Sequence, residues 1–319
     1  MAQFQLEGNG TLTALNPPAL ASVLPNFLAV DPTNQYLFVP GEDFGTFSEF
    51  GIGTNGNLAP TPAPAAAGNS VAFTPSGEFA IIVSPFDNTV TSYRLEATGA
   101  LSAINTVATG RVPWGAVVDG SGRFAYVANL DDDTISEYTI SRGGVLAPVG
   151  SISVGGFNPS PLVVSPQGFL YCRVGNPGSG SVADFAINPF TGALTFLGTY
   201  VTSIQPQGGP SWISFDLTGR NAYIGNTGGI AQFRVNRATG ALISNGTTVT
   251  PNNGVYLWGG VDPSGRFLFG AGAEAGPDGK GFYGTISRFI INGNGRLTPN
   301  GSVSLGANTI ADGFAFAQR

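Results

Sequence analysis

A short phrase of glycine, any residue and leucine recurs along the chain at nearly regular intervals. Seven copies that follow this spacing begin at Gly10, Gly56, Gly99, Gly144, Gly192, Gly240 and Gly295. The intervals between them are 46, 43, 45, 48, 48 and 55 residues. A period of this length is typical of four-stranded blades that repeat around an axis. The spacing therefore predicts an all-β fold, a seven-bladed β-propeller, in which residues 1–319 form a single domain.

A second pattern alternates with the first and predicts the two inner strands, a and b, of each blade. Residues 118–127 read VDGSGRFAYV and residues 261–269 read VDPSGRFLF. Each copy has two apolar runs separated by a turn, and the glycine in the turn can adopt a positive φ without steric cost. The Gly-x-Leu phrases then lead into the outermost strand, d.

The seventh blade is predicted to be irregular. Residues 2–6 and 11–15 predict its strands c and d, and residues 314–318 predict its strand a, but no segment is left for strand b. One alternative is a three-stranded blade in which the two ends of the chain meet. The other is a vacant position filled by a strand from a second molecule. The second alternative makes an assembly surface of four apolar residues: Phe4, Leu6, Phe314 and Phe316.

Composition excludes several classes of function. The chain has no histidine and one cysteine, Cys172, so histidine-based triads, histidine metal sites and intrachain disulfides are excluded. The formal net charge is −6, which argues against nucleic-acid binding. No apolar run is long enough to predict a membrane span. Neither a cofactor nor a metal site is predicted.

The face of a propeller at which strand a begins and the b–c loops lie is the usual place for a ligand. Trp114, Trp212 and Trp258 lie near the start of predicted strands a, and Arg111 and Asp312 precede two of these strands. The tryptophans are candidates for stacking against a sugar, and Arg111 for binding a carboxylate. The competing interpretations are that the aromatic residues pack between blades and that Arg111 forms a surface ion pair.

Three features of the sequence carry a family resemblance. They are the phrase Tyr126-Val127-Ala128-Asn129, the segment Pro113-Trp114-Gly115 and the turns of the form Asp/Ser-Pro-x-Gly. The whole chain resembles the lactonase-like seven-bladed propellers, which include 6-phosphogluconolactonase-like and carboxymuconate-cyclase-like proteins and are related to surface propellers with Tyr-Val-Thr-Asn repeats.

The resemblance implies the fold more directly than the function, because these motifs form blades. In the cyclase branch it implies a histidine that works with arginines and a glutamate, and this chain has no histidine. In the phosphogluconolactonase branch it implies a cluster of cationic groups, which the scattered arginines and the single lysine do not predict.

These observations leave three interpretations of function. The primary one is a non-enzymatic secreted or cell-surface propeller that acts as an interaction or structural module and assembles with itself through the seventh blade. The alternative is a lactonase-type hydrolase that works without histidine at the mouth of the channel. The third is a carbohydrate-binding propeller. An extracellular location is expected, although residues 1–5 have neither the basic start nor the apolar core of a signal peptide.

Overall fold

The computed structural model describes residues 3–15, 28–41, 47–61, 66–176, 179–202, 210–249, 255–275, 282–307 and 315–317. Within these ranges the secondary structure consists of β-strands, and no helix is present. The strands form six four-stranded sheets and one two-stranded sheet, and within each sheet the order of the strands follows the chain. The fold is an all-β propeller, as the repeats predict.

The chain divides into two compact units, Met1–Ile152 with Phe190–Ala193 and Ala315–Arg319, and Ser153–Pro189 with Leu194–Phe314. The strands of the first unit are β1 (Gln3–Leu6) and β2 (Leu12–Leu15); β3 (Ala29–Val30), β4 (Tyr36–Pro40), β5 (Phe47–Ile52) and β6 (Leu58–Pro60); β7 (Ser70–Phe73), β8 (Phe79–Ser84), β9 (Thr89–Leu95) and β10 (Leu101–Ala108); and β11 (Pro113–Val118), β12 (Phe124–Asn129), β13 (Thr134–Ile140) and β14 (Leu146–Ser153).

The strands of the second unit are β15 (Leu162–Val164), β16 (Phe169–Asn176), β17 (Ser179–Ile187) and β18 (Leu194–Val201); β19 (Pro210–Phe215), β20 (Asn221–Asn226), β21 (Gly229–Val235) and β22 (Leu242–Val249); and β23 (Val255–Val261), β24 (Phe267–Ala275), β25 (Phe282–Ile291) and β26 (Leu297–Ala307). The six four-stranded sheets are called blades 1 to 6 in chain order. That residues 1–319 form a single domain stays a prediction.

A buried aspartate organises the turn between the first two strands of a blade. In blade 3, the Asp119 carboxylate accepts hydrogen bonds from the backbone N–H groups of Ser121, Arg123 and Phe124, at 3.0, 3.0 and 2.9 Å. Gly122 completes the turn with a φ of 70°. The aspartate satisfies donors that the reversal of the chain would otherwise leave unpaired.

The Gly-x-Leu phrases connect neighbouring blades. A strand-b tyrosine donates its hydroxyl hydrogen to the carbonyl oxygen of the phrase glycine in the next blade. Tyr126 reaches Gly192 at 2.8 Å, and Tyr223 reaches Gly295 at 3.0 Å. The glycine has to be small as well as flexible, because a Cβ on Gly192 would lie 2.3 Å from the ring of Phe124.

The leucine of the same phrase is held through its backbone N–H. Leu297 donates to Oε1 of Gln232 at 2.9 Å, and Leu146 donates to Oδ1 of Asn105 at 2.9 Å. In both cases the acceptor comes from the preceding blade. The periodic phrase therefore marks contacts between blades as well as turns within them.

The predicted strands near the amino terminus are present as β1 and β2, which pair antiparallel from Gln3–Leu15 to Leu6–Leu12. Phe4 and Leu6 are half-buried on β1. Residues 315–317, within the segment predicted as strand a, have no strand conformation, and Phe316 among them is half-buried. Phe314 lies outside the described residues.

Candidate functional site

Arg111 forms an ion pair with Asp132 across the opening of blade 3. The Nε of Arg111 lies 2.6 Å from Oδ1 of Asp132, and its backbone N–H donates to Oδ2 of the same carboxylate at 2.7 Å. These contacts raise the pKa of Arg111 and lower that of Asp132, chiefly through the hydrogen bonds between them. Both side chains reach solvent, so the contact is the surface ion pair that was one of the two alternatives.

The connection that carries Arg111 is fixed in an unusual conformation. Val112 has a φ of 52°, which a β-branched residue rarely adopts. Its backbone N–H donates to Oδ1 of Asn88 at 2.8 Å, and its carbonyl oxygen accepts from the N–H of Leu130 at 3.0 Å. These hydrogen bonds hold the connection so that the Arg111 side chain lies along Asp132.

The three tryptophans differ in their surroundings. Trp212 is only 2% exposed, and its ring covers Gly225 and Gly259 so closely that a Cβ on either glycine would clash with it. Trp212 therefore packs between blades 5 and 6, in agreement with the packing interpretation. Trp114 and Trp258 are half-buried, and their binding of a ligand stays a prediction.

Asp312, the remaining predicted ligand-binding residue, lies outside the described residues. Cys172 is completely buried, and burial raises the pKa of its thiol, so it is not a nucleophile. The described residues contain no group of three or more acidic or cysteine side chains placed to hold a metal ion. They also contain no helix of the length and hydropathy needed to cross a membrane.

A cation that was not predicted lies on β16 in blade 4. The Arg173 side chain is half-buried, and its Nη1 makes one long contact, 3.4 Å to the carbonyl oxygen of Ser160. Its Nε is buried without a hydrogen-bond partner among the described residues. Burial lowers the pKa of this guanidinium because the charge has lost much of its water.

The position of Arg173 in its blade is unusual. The residues aligned with it on the second strand of the other five blades are small or apolar and buried: Pro40, Val83, Ala128, Gly225 and Ala271. Residues 153–215 contain one acidic residue, Asp184. A half-buried cation that forms no ion pair with the described residues is costly to the fold, which indicates that it serves a purpose other than packing.

Arg173 faces blade 5, as the neighbouring contacts establish. Tyr171, two residues earlier on the same strand, lies on the same side of the blade, and its ring centroid is 5.0 Å from that of Phe215 on β19. Phe215 pairs with Ala222, and Ile213 pairs with Ile224, on the facing side of blade 5.

Asn226 is the last residue of β20 and lies on the side of blade 5 that faces blade 4. It lies two residues beyond Ile224 on β20, and its side chain is completely buried. Its Nδ2 donates to the carbonyl oxygen of Ile224 at 3.0 Å, whereas its Oδ1 has no partner among the described residues. An unpaired donor of Arg173 and an unpaired acceptor of Asn226 thus lie at the same end of one interface between blades. We call this arrangement the Arg173–Asn226 site.

Residues 69–215 match the family model of the lactonase 7-bladed β-propeller. The predicted resemblance is therefore confirmed, over a range that includes Arg111 and Arg173. No curated protein matches the sequence.

Solved structures show the same fold at low sequence identity. The periplasmic gluconolactonase PpgL of Pseudomonas aeruginosa is 19% identical, with a TM-score of 0.74 over 96% of this chain and 92% of that one. A protein of Bacteroides uniformis, described as a candidate 6-phosphogluconolactonase, is 19% identical, with a TM-score of 0.75 over 94% and 90% of the two chains. A Lactobacillus plantarum protein is 21% identical, with a TM-score of 0.76 over 93% and 89%.

These findings contradict the primary interpretation of function. The interpretation of the protein as a non-enzymatic, self-assembling interaction or structural module is wrong, because the family model and the named structures favour the lactonase alternative. The primary interpretation rested on the absence of histidine, the low charge, the lack of a predicted cationic pocket and the missing strand of the seventh blade. Composition does not show that one arginine is half-buried and only weakly hydrogen-bonded.

Proposed function

We propose that the protein is a lactonase-type hydrolase that binds its lactone at the Arg173–Asn226 site. The observation that carries the proposal is the unpaired donor and unpaired acceptor buried at one end of the interface between blades 4 and 5. The match of residues 69–215 to the lactonase family supports it, as does the gluconolactonase among the similar structures.

The two side chains complement a sugar lactone. A lactone carries a carbonyl oxygen that becomes an oxyanion during hydrolysis, and hydroxyl groups that can donate hydrogen bonds. The Arg173 guanidinium donates to the developing oxyanion, and its strength there is increased by its partial loss of water. The Asn226 Oδ1 accepts a hydrogen bond from a hydroxyl group of the sugar and orients the ring.

The reaction consumes one water molecule. The water oxygen bonds to the carbonyl carbon, the electron pair of the C=O bond moves to the oxygen, and the ring C–O bond breaks as that pair returns. The released ring oxygen takes up a proton and becomes a hydroxyl group, and the new acid loses one proton to solvent. Arg173 remains protonated throughout, as arginine side chains do in proteins.

The test measures hydrolysis of five- and six-membered aldonolactones, with and without a phosphate group, by proton release above the spontaneous rate. We expect the wild-type protein to accelerate hydrolysis of at least one of them. Arg173→Gln should lower kcat/KM by roughly 100-fold, the size of effect found for a lost oxyanion donor. Arg220→Gln, which removes an exposed arginine from blade 5, is the control and should retain full activity.

Two results would overturn the proposal. One is the absence of acceleration for every lactone tested by a correctly folded protein. The other is activity that survives Arg173→Gln unchanged, which would place the chemistry elsewhere. In that event Arg111, Trp114 and Trp258, which remain predicted ligand-binding residues, would be the next positions to change.

The count of seven blades is also part of the proposal. The sheet of β1 and β2 would supply two strands of a seventh blade, closed by the segment 314–318. Supporting this, the N–H of Leu58 in blade 1 donates to Oε1 of Gln3 on β1 at 3.1 Å. Leu297 makes the equivalent contact with Gln232 of the preceding blade. An extracellular location stays a prediction.

A further inference from the structure

A cleft of about 510 Å³ opens on blade 3, away from the Arg173–Asn226 site in sequence and in the other unit of the chain. It lies between the end of β10 and the two outer strands β13 and β14. We call it the β13 cleft. Its volume falls within the range of small-molecule sites.

Three side chains from one face of β13 line the cleft: Thr134, Ser136 and Tyr138. The completely buried Asn129 donates from its Nδ2 to the hydroxyl oxygens of Thr134 and Ser136, at 3.0 and 2.9 Å. Its Oδ1 accepts from the N–H of Gly110 at 3.2 Å. Because Asn129 occupies an acceptor position on each hydroxyl, the hydroxyl hydrogens point elsewhere.

The hydroxyl group of Ser136 donates its hydrogen within the protein, whereas the hydroxyl hydrogen of Thr134 is available to a ligand. Ser136 hydrogen-bonds the hydroxyl of Tyr138, which itself donates to the carbonyl oxygen of Ala108 at 2.6 Å. Thr134 is half-buried in the wall of the cleft. The wall therefore holds an oriented donor, with no flexible chain to immobilise when a ligand binds.

Asp132 supplies the acceptors of the cleft. Its two oxygens each take one hydrogen bond from Arg111, which leaves further lone pairs on both. The ion pair offsets the charge of Asp132, whereas the neighbouring Asp131 and Asp133 add negative charge, so an anionic ligand is disfavoured at this end of the cleft. Pro148 and Ala108 add an apolar edge.

We infer that the β13 cleft binds a neutral saccharide. Asp132 accepts hydrogen bonds from neighbouring hydroxyl groups of the sugar, Thr134 donates to a ring or hydroxyl oxygen, and the apolar edge of Pro148 contacts the C–H face of the ring. Arg111 acts as a positioning residue because it fixes the Asp132 carboxylate. This site goes beyond the proposed hydrolase and uses neither Arg173 nor Asn226.

The test titrates the protein with the methyl glycosides of glucose, galactose and mannose, and with sorbitol as an acyclic polyol, by saturation-transfer NMR and calorimetry. We expect saturable binding of at least one methyl glycoside. Asp132→Asn and Thr134→Val should each weaken it at least tenfold, whereas Asp87→Asn, an exposed carboxylate of the corresponding loop in blade 2, should not.

A further variant separates binding from folding. Ser151→Trp places a large ring in the cleft from an exposed position on β14 and leaves the Asn129 contacts intact. It should abolish binding while the thermal midpoint and the rate of lactone hydrolysis stay unchanged. The inference is overturned if no glycoside binds, if sorbitol binds equally well, or if binding survives Ser151→Trp. Loss of binding in Arg173→Gln would instead assign the sugar to the Arg173–Asn226 site.

Discussion

The hydroxyl group of Tyr171 donates a hydrogen bond to the carbonyl oxygen of Gly240 at 2.5 Å, across 69 residues of sequence. Tyr171 lies on the second strand of blade 4, and Gly240 opens the Gly-x-Leu phrase of blade 5. The same contact joins Tyr223 to Gly295 in the next pair of blades. The tyrosine and the phrase glycine are therefore two halves of one repeated connection.

Removal of this connection has a measurable cost. Tyr171→Phe should lower the free energy of unfolding by about 1–3 kcal/mol, because the buried carbonyl oxygen of Gly240 loses its donor. Urea denaturation followed by fluorescence checks this. Tyr283→Phe on β25, where the tyrosine is half-buried, provides the control. An equal loss in both variants would mean that the hydrogen bond adds little.

The glycine of the phrase is required for two separate reasons. Gly240 has a φ of 78°, and a Cβ there would lie 2.7 Å from the ring of Phe169. Gly240→Ala should therefore cost at least about 1–2 kcal/mol from the left-handed backbone alone. Gly293→Ala, at an exposed glycine with open space around it, should change the urea midpoint very little. Similar losses at both positions would contradict this account.

The sequence predicts the blades well because their determinants are local and repeated. The spacing of the Gly-x-Leu phrases and the aspartate turns, such as that of Asp119, lie within short segments. The connections between blades were not predicted, since Tyr171 and Gly240 meet only after the blades have packed. A surface ion pair of Arg111 was one of the predicted alternatives, but its partner Asp132 was not predicted, because the two residues lie on different loops.

The candidate site was the least predictable part. Arg173 occupies a strand position that is small or apolar in the other blades, and an alignment of the repeats would have revealed that difference. Its partial burial, its unpaired Nε and the matching acceptor of Asn226 depend on how blades 4 and 5 face each other. Trp212 shows the opposite case, because its position suits a ligand site and its surroundings make it a packing residue.

Burial of Asp184 predicts a dependence of stability on pH. The side chain is completely buried, and burial raises its pKa above the ordinary value of 3.8, although hydrogen bonds from the Tyr200 hydroxyl and the Gly198 backbone oppose the shift. The folded protein thus binds this proton more tightly than the unfolded chain does. Its contribution to stability is favourable at low pH and is lost as the pH rises through the folded-state pKa.

Asp184→Asn should therefore be more stable than wild type at pH 8, and the difference should shrink as the pH falls toward the pKa of an unfolded aspartate. Urea midpoints measured for both proteins between pH 4 and pH 8 check this. A second buried carboxyl, Glu49, also has a pKa raised by burial, so each protein retains some pH dependence. The difference between the two curves isolates Asp184, and a constant difference would contradict the prediction.

Arg173 should stabilise a bound ligand and lower the stability of the ligand-free protein. Burial lowers the pKa of its guanidinium, so the charge is held in surroundings that disfavour it. Arg173→Met keeps the length of the side chain and removes the charge, and it should raise the free energy of unfolding by about 1–3 kcal/mol.

A hydroxy-acid product such as gluconate should raise the thermal midpoint of the wild-type protein and leave that of Arg173→Met unchanged. Arg220→Met, at an exposed arginine, should alter neither stability nor the response to gluconate. If Arg173→Met is instead less stable than wild type, the guanidinium has a partner that supports the fold, and its assignment to ligand binding fails.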